Sequence, residues 1–106
     1  MEIIISGRHF NVSESLKSYA TEQINTIISG YRKVNNVHLI LDQQKGRAKA
    51  EVIVHGKNIN YEADSEDFDM YKAIDDAIAK VDKQLEKHFE KVQDHRKKTK
   101  NLKALE

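Results

Sequence analysis

The sequence contains no cysteine, proline or tryptophan and only four glycines among its 106 residues. Without cysteine the chain cannot form disulfides, thiol nucleophiles or cysteine-ligated zinc and iron–sulfur sites, so its stability must come from an apolar core and hydrogen bonds. The longest apolar runs are three residues, whereas a membrane-spanning helix needs about 20. The N-terminus also lacks the apolar region of a secretory signal. We therefore expect a cytoplasmic protein that does not enter the membrane.

The length is that of one domain, because domains most often contain roughly 100–150 residues. The apolar periodicity continues to residue 93 and then thins. We therefore predict a single α+β domain over residues 1–93, followed by a basic tail over residues 94–106.

The net charge of +1 would argue against a nucleic-acid partner, but it hides a separation of charge along the chain. Residues 1–61 hold eight basic and five acidic side chains, residues 62–79 hold one and seven, and residues 80–106 hold nine and five. The net charges of these segments are therefore +3, −6 and +4. Because the local field depends on how charges are grouped, the final segment can attract an anionic partner.

The strand signals predict a four-stranded sheet. A β-branched segment at residues 2–7 predicts the first strand. Alternating apolar residues over 37–41, 48–54 and 59–63, separated by short turns, predict an antiparallel meander. Each strand has one apolar face, which requires a cover on one side of the sheet.

Two amphipathic helices supply that cover. Ser13 is a plausible N-cap for a helix whose apolar positions recur over residues 16–31. A second helix has apolar positions over residues 70–92, and we expect its N-cap among residues 64–67. The predicted fold is β-α-β-β-β-α, a four-stranded sheet with two helices packed on one face.

The sequence offers no recognisable catalytic or metal-binding motif: GxSxG, HExxH, P-loop and GxGxxG are all missing. His38 and His55 fall on outward positions of neighbouring strands, and His88 and His95 are seven residues apart on the last helix. No further ligands stand at metal spacing, which favours solvent-facing or partly packed histidines over a metal or catalytic site. We expect no catalytic residues, no metal and no cofactor, and therefore no enzyme.

Four lysines of the last helix lie on one side of its apolar stripe; this lysine ridge consists of Lys80, Lys83, Lys87 and Lys91. Their 3-4-4 spacing places them within an arc of about 80°. One interpretation is a solvated helix stabilised by ion pairs at spacing three, Lys83 with Glu86 and Lys87 with Glu90. The other is a surface for a polyanion, because like charges stacked at i,i+4 destabilise an isolated helix. Possible further phosphate contacts in the tail are Arg96, Lys97 and Lys98.

The type of basic residue favours structured RNA read by shape. Lysine acts as a point charge for phosphate, whereas arginine is the usual reader of guanine. The chain shows no helix-turn-helix or zinc finger, and the outward strand positions lack paired aromatics for base stacking. The predicted β-β-β-α portion with a basic final helix resembles double-stranded RNA-binding domains in outline.

The last helix also carries a family resemblance. The segment DMYKAID at residues 69–75, continued by Ile78, Lys80, Val81, Gln84, Leu85, Lys87 and His88, resembles the signature DMY-x-AID-x₂-I-x-K-[LV]-x₂-QL-x-KH of ribosome hibernation-promoting factors. This family includes ribosome-associated inhibitor A. Residues 3–7, 12–13 and 50–52 fit the family as well, so the resemblance covers nearly residues 1–95.

The resemblance implies a non-enzymatic factor that binds the small ribosomal subunit in the channel of messenger and transfer RNA. Such factors silence ribosomes in stationary phase or stress and place the basic ridge of the last helix against 16S ribosomal RNA. By position, this rRNA-binding role falls on the lysine ridge. We expect Met70 and Tyr71 in the core and Asp69 at the start of the helix, where it caps or braces it.

Length and tail charge refine the resemblance. Long members append a dimerising domain, for which 106 residues leave no room, and inhibitor-type short members end in an acidic tail. The chain therefore resembles the short hibernation-promoting type, which acts with ribosome modulation factor to form inactive ribosome dimers, and we expect a monomer off the ribosome. The first helix has Asn25, Thr26 and Ser29 where the family usually has lysines, so contacts from this helix are in question.

Two other functions stay open at this point. Family members have been described in connection with an alternative sigma factor, which makes a transcription modulator the alternative function. A small enzyme that uses surface histidine or aspartate is the third hypothesis, but no catalytic constellation can be assembled from the sequence.

Overall fold

A computed structural model describes the backbone of residues 1–93 and the side chains of residues 1–89. Its elements are β1 (Glu2–Arg8), α1 (Glu14–Ile28), β2 (Val34–Gln44), β3 (Arg47–Gly56), β4 (Ile59–Asp67) and α2 (Met70–Gln93). The predicted α+β class and the order β-α-β-β-β-α are confirmed. The tail over 94–106, with its predicted contacts at Arg96, Lys97 and Lys98, lies outside the described residues.

The four strands form one mixed sheet in the order β1-β2-β3-β4. β1 runs parallel to β2, as expected when a helix connects two neighbouring strands, and β2, β3 and β4 form the predicted antiparallel meander. The turn between β2 and β3 consists of Lys45 and Gly46, both with positive φ. Positive φ at both central residues is what a tight type I′ hairpin requires.

The core lies between the sheet and the two helices. α1 contributes Leu16, Ala20, Ile24 and Ile28, which recur every four residues and are all buried. α2 contributes a longer stripe that includes Ile74, Ile78, Val81 and Leu85. These side chains pack on the alternating apolar residues of β2 and β3, and each fully buried aliphatic side chain contributes roughly 1.5–3 kcal/mol. The predicted packing of both helices on one face follows from this periodicity.

The predicted N-cap is correct for α1 and wrong for α2. Ser13 caps α1 as predicted, since its hydroxyl accepts a hydrogen bond from the Leu16 amide at 3.2 Å. The N-cap expected among residues 64–67 is wrong, because that segment continues β4 and pairs with β3. Asp69 caps α2 instead: its carboxylate accepts from the Tyr71 amide at 3.0 Å. The bracing role expected for Asp69 is therefore confirmed.

The expectation that Met70 and Tyr71 both belong to the core is right only for Met70, which is 8% exposed. Tyr71 is 41% exposed and packs edge-on against Tyr19 of α1, with ring centroids 4.9 Å apart. One residue step on a helix is a rotation of about 100°, which turns Tyr71 away from the buried side of Met70 and toward α1. Tyr71 therefore covers the outer seam between the helices.

Candidate nucleic-acid interface

The lysine ridge lies on a continuous helix and faces solvent where its side chains are described. Lys80, Lys83 and Lys87 are all exposed, while Lys91 lies within α2 with a side chain outside the described residues. Lys83 forms no ion pair with Glu86 among the described side chains. The solvated-helix interpretation also includes a pair of Lys87 with Glu90, whose side chain lies outside the described residues. Among the described side chains, Lys83 and Lys87 are exposed and accessible to an anion.

Lys80 has a second role, because it covers the outer edge of β4. Its ammonium group donates to the Asp64 carbonyl oxygen at 2.8 Å, and the Gln84 amide donates to the Glu62 carbonyl oxygen at 3.4 Å. Lys80 and Gln84 are about 6 Å apart along the helix, and Glu62 and Asp64 are about 6.8 Å apart along the strand. The two donors of α2 therefore line up with the two carbonyl oxygens of β4. Covering these carbonyls protects an edge strand that could otherwise pair with another chain.

Two aspartates of α2 accept hydrogen bonds from a tyrosine of α1 and from a tyrosine of the loop that follows α1. The Tyr19 hydroxyl donates to Asp75 at 2.6 Å, and the Tyr31 hydroxyl donates to Asp82 at 2.7 Å. Asp75 and Asp82 are seven residues apart, which is about two turns, so both face α1. These carboxylates therefore hold the helix whose opposite flank presents the lysines.

Both hydrogen bonds shift the tyrosines toward the protonated form. The hydrogen bond to Asp75 is the main cause that raises the pKa of Tyr19 to about 12. Burial is the main cause that raises the pKa of Tyr31 further above its ordinary value, and the hydrogen bond to Asp82 is the second cause. Both phenols are therefore neutral donors throughout the physiological pH range.

A second group of cations, the end cluster of Arg32, Lys33 and Lys57, lies at the end of the sheet beside the last turns of α2. The Lys57 amide donates to the Lys33 carbonyl at 3.1 Å, which joins the two turns. Tyr31 stacks on Phe89 of α2, with ring centroids 5.4 Å apart. All three cluster residues are exposed. The cluster thus places three further exposed cations at the end of the sheet next to which Phe89 of α2 packs.

The close approach of the two turns depends on Gly56. A Cβ atom at this position would lie 2.0 Å from the Lys33 carbonyl oxygen, far inside van der Waals contact. The pairing of β2 with β3 is also irregular here, between Val34 and Asn36. Sequence reasoning missed the end cluster because Lys33 and Lys57 are 24 positions apart. The available signal was the turn-forming Gly56 immediately before Lys57.

The histidines do not converge on a site in the described part of the chain. The His38 ring bonds with the Ser6 hydroxyl at 3.0 Å, and the His88 ring bonds with the Tyr61 hydroxyl at 2.9 Å. His55 is exposed, and His95 lies outside the described residues. Residues 1–89 contain no group of three or more side chains suited to hold a metal ion. Across the described helices, none is long and apolar enough to cross a membrane.

A comparison with known families decides the relationship. The family model described as sigma 54 modulation protein / S30EA ribosomal protein matches residues 3–93. The chain belongs to the S30EA family. Thus the match includes both helices, the whole meander and the described part of the lysine ridge.

Curated members of the S30EA family are similar along almost their whole length. The ribosome hibernation promoting factor of Pseudomonas putida is 37% identical over 93 residues, which cover 88% of this chain and 91% of that protein. The factor of the same name from Escherichia coli K12 is 28% identical over 95 residues, which cover 90% of this chain and all of that protein.

Solved structures share the S30EA fold. A ribosomal subunit interface protein from Coxiella burnetii superposes with a TM-score of 0.78 at 25% identity, covering 83% of this chain and 97% of that one. The N-terminal domain of Protein Y from Thermus thermophilus gives a TM-score of 0.75 at 22% identity, covering 83% and 99%. The second likeness establishes the fold alone.

Proposed function

We propose that this protein is a ribosome hibernation factor that binds the small ribosomal subunit and keeps ribosomes inactive in stationary phase or stress. The observation that carries the proposal is the similarity to ribosome hibernation promoting factors over nearly the whole described domain. A role as a transcription modulator through an alternative sigma factor is not favoured, because these relatives are named for hibernation.

The lysine ridge is the surface proposed to contact 16S ribosomal RNA. Lys83 and Lys87 are exposed on one side of α2, and the exposed end cluster would add further cations. Each phosphate that an ammonium group neutralises releases counterions, so affinity accumulates without any reading of base edges. Lys80 shares its ammonium between this surface and the β4 edge, and Lys91 extends the ridge by one turn.

The mechanism that we propose is steric. A domain held by RNA in the channel of messenger and transfer RNA occupies the volume that these ligands need, so translation stops without a chemical reaction. The protein is then not an enzyme and needs no cofactor. It acts in the cytoplasm, is a monomer off the ribosome, and promotes inactive ribosome dimers together with ribosome modulation factor.

The division of labour within the chain is also a proposal. Residues 1–93 would form the ribosome-binding domain. The basic tail over 94–106 would add phosphate contacts through Arg96, Lys97 and Lys98, which would increase both the affinity and its salt dependence.

Co-sedimentation with purified small subunits tests this function. We expect binding that weakens steeply as salt rises, and loss of binding when the four ridge lysines are replaced by glutamate. A control variant with Lys17→Glu and Lys45→Glu changes exposed lysines away from the ridge and should retain most of the binding. If the ridge variant pelleted normally at physiological salt, the proposed surface would be wrong. Recovery of polymerase instead of ribosomes by the tagged protein would favour the transcription alternative.

A further inference from the structure

The outward face of the sheet is not covered by any element of the described chain. Both helices pack on the opposite face. The strand registers place outward side chains in four complete rows across the sheet, one of which consists of Ile4, His38, Ile53 and Glu62. A sheet with one open face can carry a function that is separate from the helices.

Three isoleucines form an apolar group on this open face. Ile4 is 46% exposed, and Ile40 and Ile53 are half-buried although no third layer covers them. His38 lies between Ile4 and Ile53 in the same row and is held by Ser6. Outward isoleucines on three neighbouring strands form a patch of the kind that marks a protein-binding surface.

The charged side chains of the open face are mostly acidic. Together with Arg47 at the end of β3, its four rows contain three basic side chains, Arg8, Arg47 and Lys49, and six acidic ones: Glu2, Asp42, Glu51, Glu62, Asp64 and Glu66. Lys49 pairs with Asp64 at 3.7 Å, and Arg47 pairs with Glu66 at 3.1 Å. Among the described side chains no such ion pair involves Glu51 or Glu62. These two carboxylates lie directly opposite Ile40 and Ile53.

We propose that this open face docks a lysine- and arginine-rich protein segment that carries apolar side chains. The segment's cations would meet Glu51 and Glu62, while its apolar groups would cover the isoleucines. RNA does not fit, because unpaired carboxylates repel phosphate. A second copy placed face to face does not fit either, because the mostly acidic side chains of the two faces would oppose each other. The proposal builds on the hibernation function: the helices would hold ribosomal RNA, and the sheet would hold a basic protein segment of the ribosome.

A peptide titration tests the open face without the ribosome. The isotope-labelled protein is titrated with a synthetic 12-residue peptide of alternating lysine and valine, and amide shifts are followed by NMR. We expect the shifts to centre on Ile40, Glu51 and Ile53, and the affinity to fall about tenfold in Glu51→Lys/Glu62→Lys. A glutamate–valine peptide should not bind. Absent shifts, shifts on the helices, or an unchanged affinity in the variant would overturn the proposal.

Site-specific crosslinking tests the same face on the ribosome. Because the chain has no cysteine, Ile53→Cys introduces a single site for a short photo-crosslinker, with Thr26→Cys on the exposed side of α1 as control. We expect Ile53→Cys to give a product with a ribosomal protein that survives ribonuclease, and Thr26→Cys not to give it. Ribosome-bound protein that crosslinked only to RNA, or to nothing, would overturn the proposal. Failure to pellet with ribosomes would contradict the hibernation function instead, and the peptide titration would still decide the open face.

Discussion

The Lys80 ammonium group donates a hydrogen bond to the Asp64 carbonyl oxygen at 2.8 Å, which ties a lysine of the proposed RNA surface to the edge of the sheet. Lys80 therefore contacts the sheet as well as solvent, whereas Lys83 and Lys87 are exposed and form no such contact among the described residues. Hence the ridge residues should not be equivalent in either stability or binding.

Substitution of single ridge lysines should separate these roles. Lys80→Ala should lower the free energy of unfolding by about 0.5–1.5 kcal/mol, because a carbonyl of β4 loses its donor. Lys83→Ala should change it by less than about 0.5 kcal/mol, as expected for an exposed surface residue. Urea denaturation followed by circular dichroism measures both values. Equal stabilities of the two variants would contradict a structural role for Lys80.

The same variants should also differ in ribosome binding. Loss of Lys83 or Lys87 should reduce the slope of log affinity against log salt by about 0.7–0.9 per lysine, if each neutralises one phosphate. Lys80→Ala should reduce the slope less, because its ammonium group is shared with a carbonyl. Binding isotherms with fluorescent protein and small subunits at several salt concentrations measure these slopes. A larger slope change for Lys80 than for Lys83 would contradict the assignment.

The Tyr19 and Tyr31 hydrogen bonds predict a loss of stability in alkali. A group whose pKa is raised on folding stabilises the fold fully below its unfolded pKa, which is about 10 for tyrosine. The contribution of Tyr19 is lost as pH rises from there through about 12, and that of Tyr31 is lost at higher pH. Spectrophotometric titration should show two phenols that ionise well above pH 10. The double variant Tyr19→Phe/Tyr31→Phe should lack this high-pH ionisation. Four tyrosines that ionised together near pH 10 would contradict these contacts.

Gly56 should tolerate no larger side chain. Gly56→Ala places a Cβ atom against the Lys33 carbonyl, so the two turns must separate, and we expect a loss of about 1–3 kcal/mol. Gly30→Ala is the matched control, because a Cβ atom there meets nothing within 4 Å. It should be neutral or stabilise by up to about 1 kcal/mol. Thermal unfolding of the two variants compares them directly, and similar melting temperatures would contradict the packing at Gly56.

The end cluster should contribute to binding independently of the ridge. Lys33→Glu/Lys57→Glu should weaken small-subunit binding and reduce its salt dependence while leaving the fold intact, because both side chains are exposed. Lys17→Glu/Lys45→Glu carries the same charge change elsewhere on the surface and serves as control. Equal binding by the two double variants would show that the end cluster makes no contact.

Much of this fold could be predicted from periodicity, but the start of α2 could not. The helix α2 is predicted by the spacing of its buried residues, which fits a helix and no strand: Ile74, Ile78, Val81 and Leu85. The predicted start of α2 is wrong because Asp64 and Asp67 fit the N-cap of a helix as well as an exposed edge strand. Only the pairing of β4 with β3 decides between these, and that pairing is a long-range contact.

The candidate site divides in the same way. Lysines on one helix could be grouped from their spacing, because a helix fixes their relative directions. The end cluster, the edge contact of Lys80 and the tyrosine contacts of Asp75 and Asp82 join residues from different elements. Such contacts depend on how the elements pack, which the spacing within one element does not encode.

The proposed function requires the protein to occupy the channel of messenger and transfer RNA through the lysine ridge. Sucrose-gradient binding to small subunits that are either vacant or preloaded with messenger and transfer RNA tests this requirement. We expect the protein to bind vacant subunits, to be excluded from preloaded ones, and to bind neither when Lys83 and Lys87 are replaced by glutamate. Equal binding to vacant and preloaded subunits, or undiminished binding by that variant at physiological salt, would contradict it.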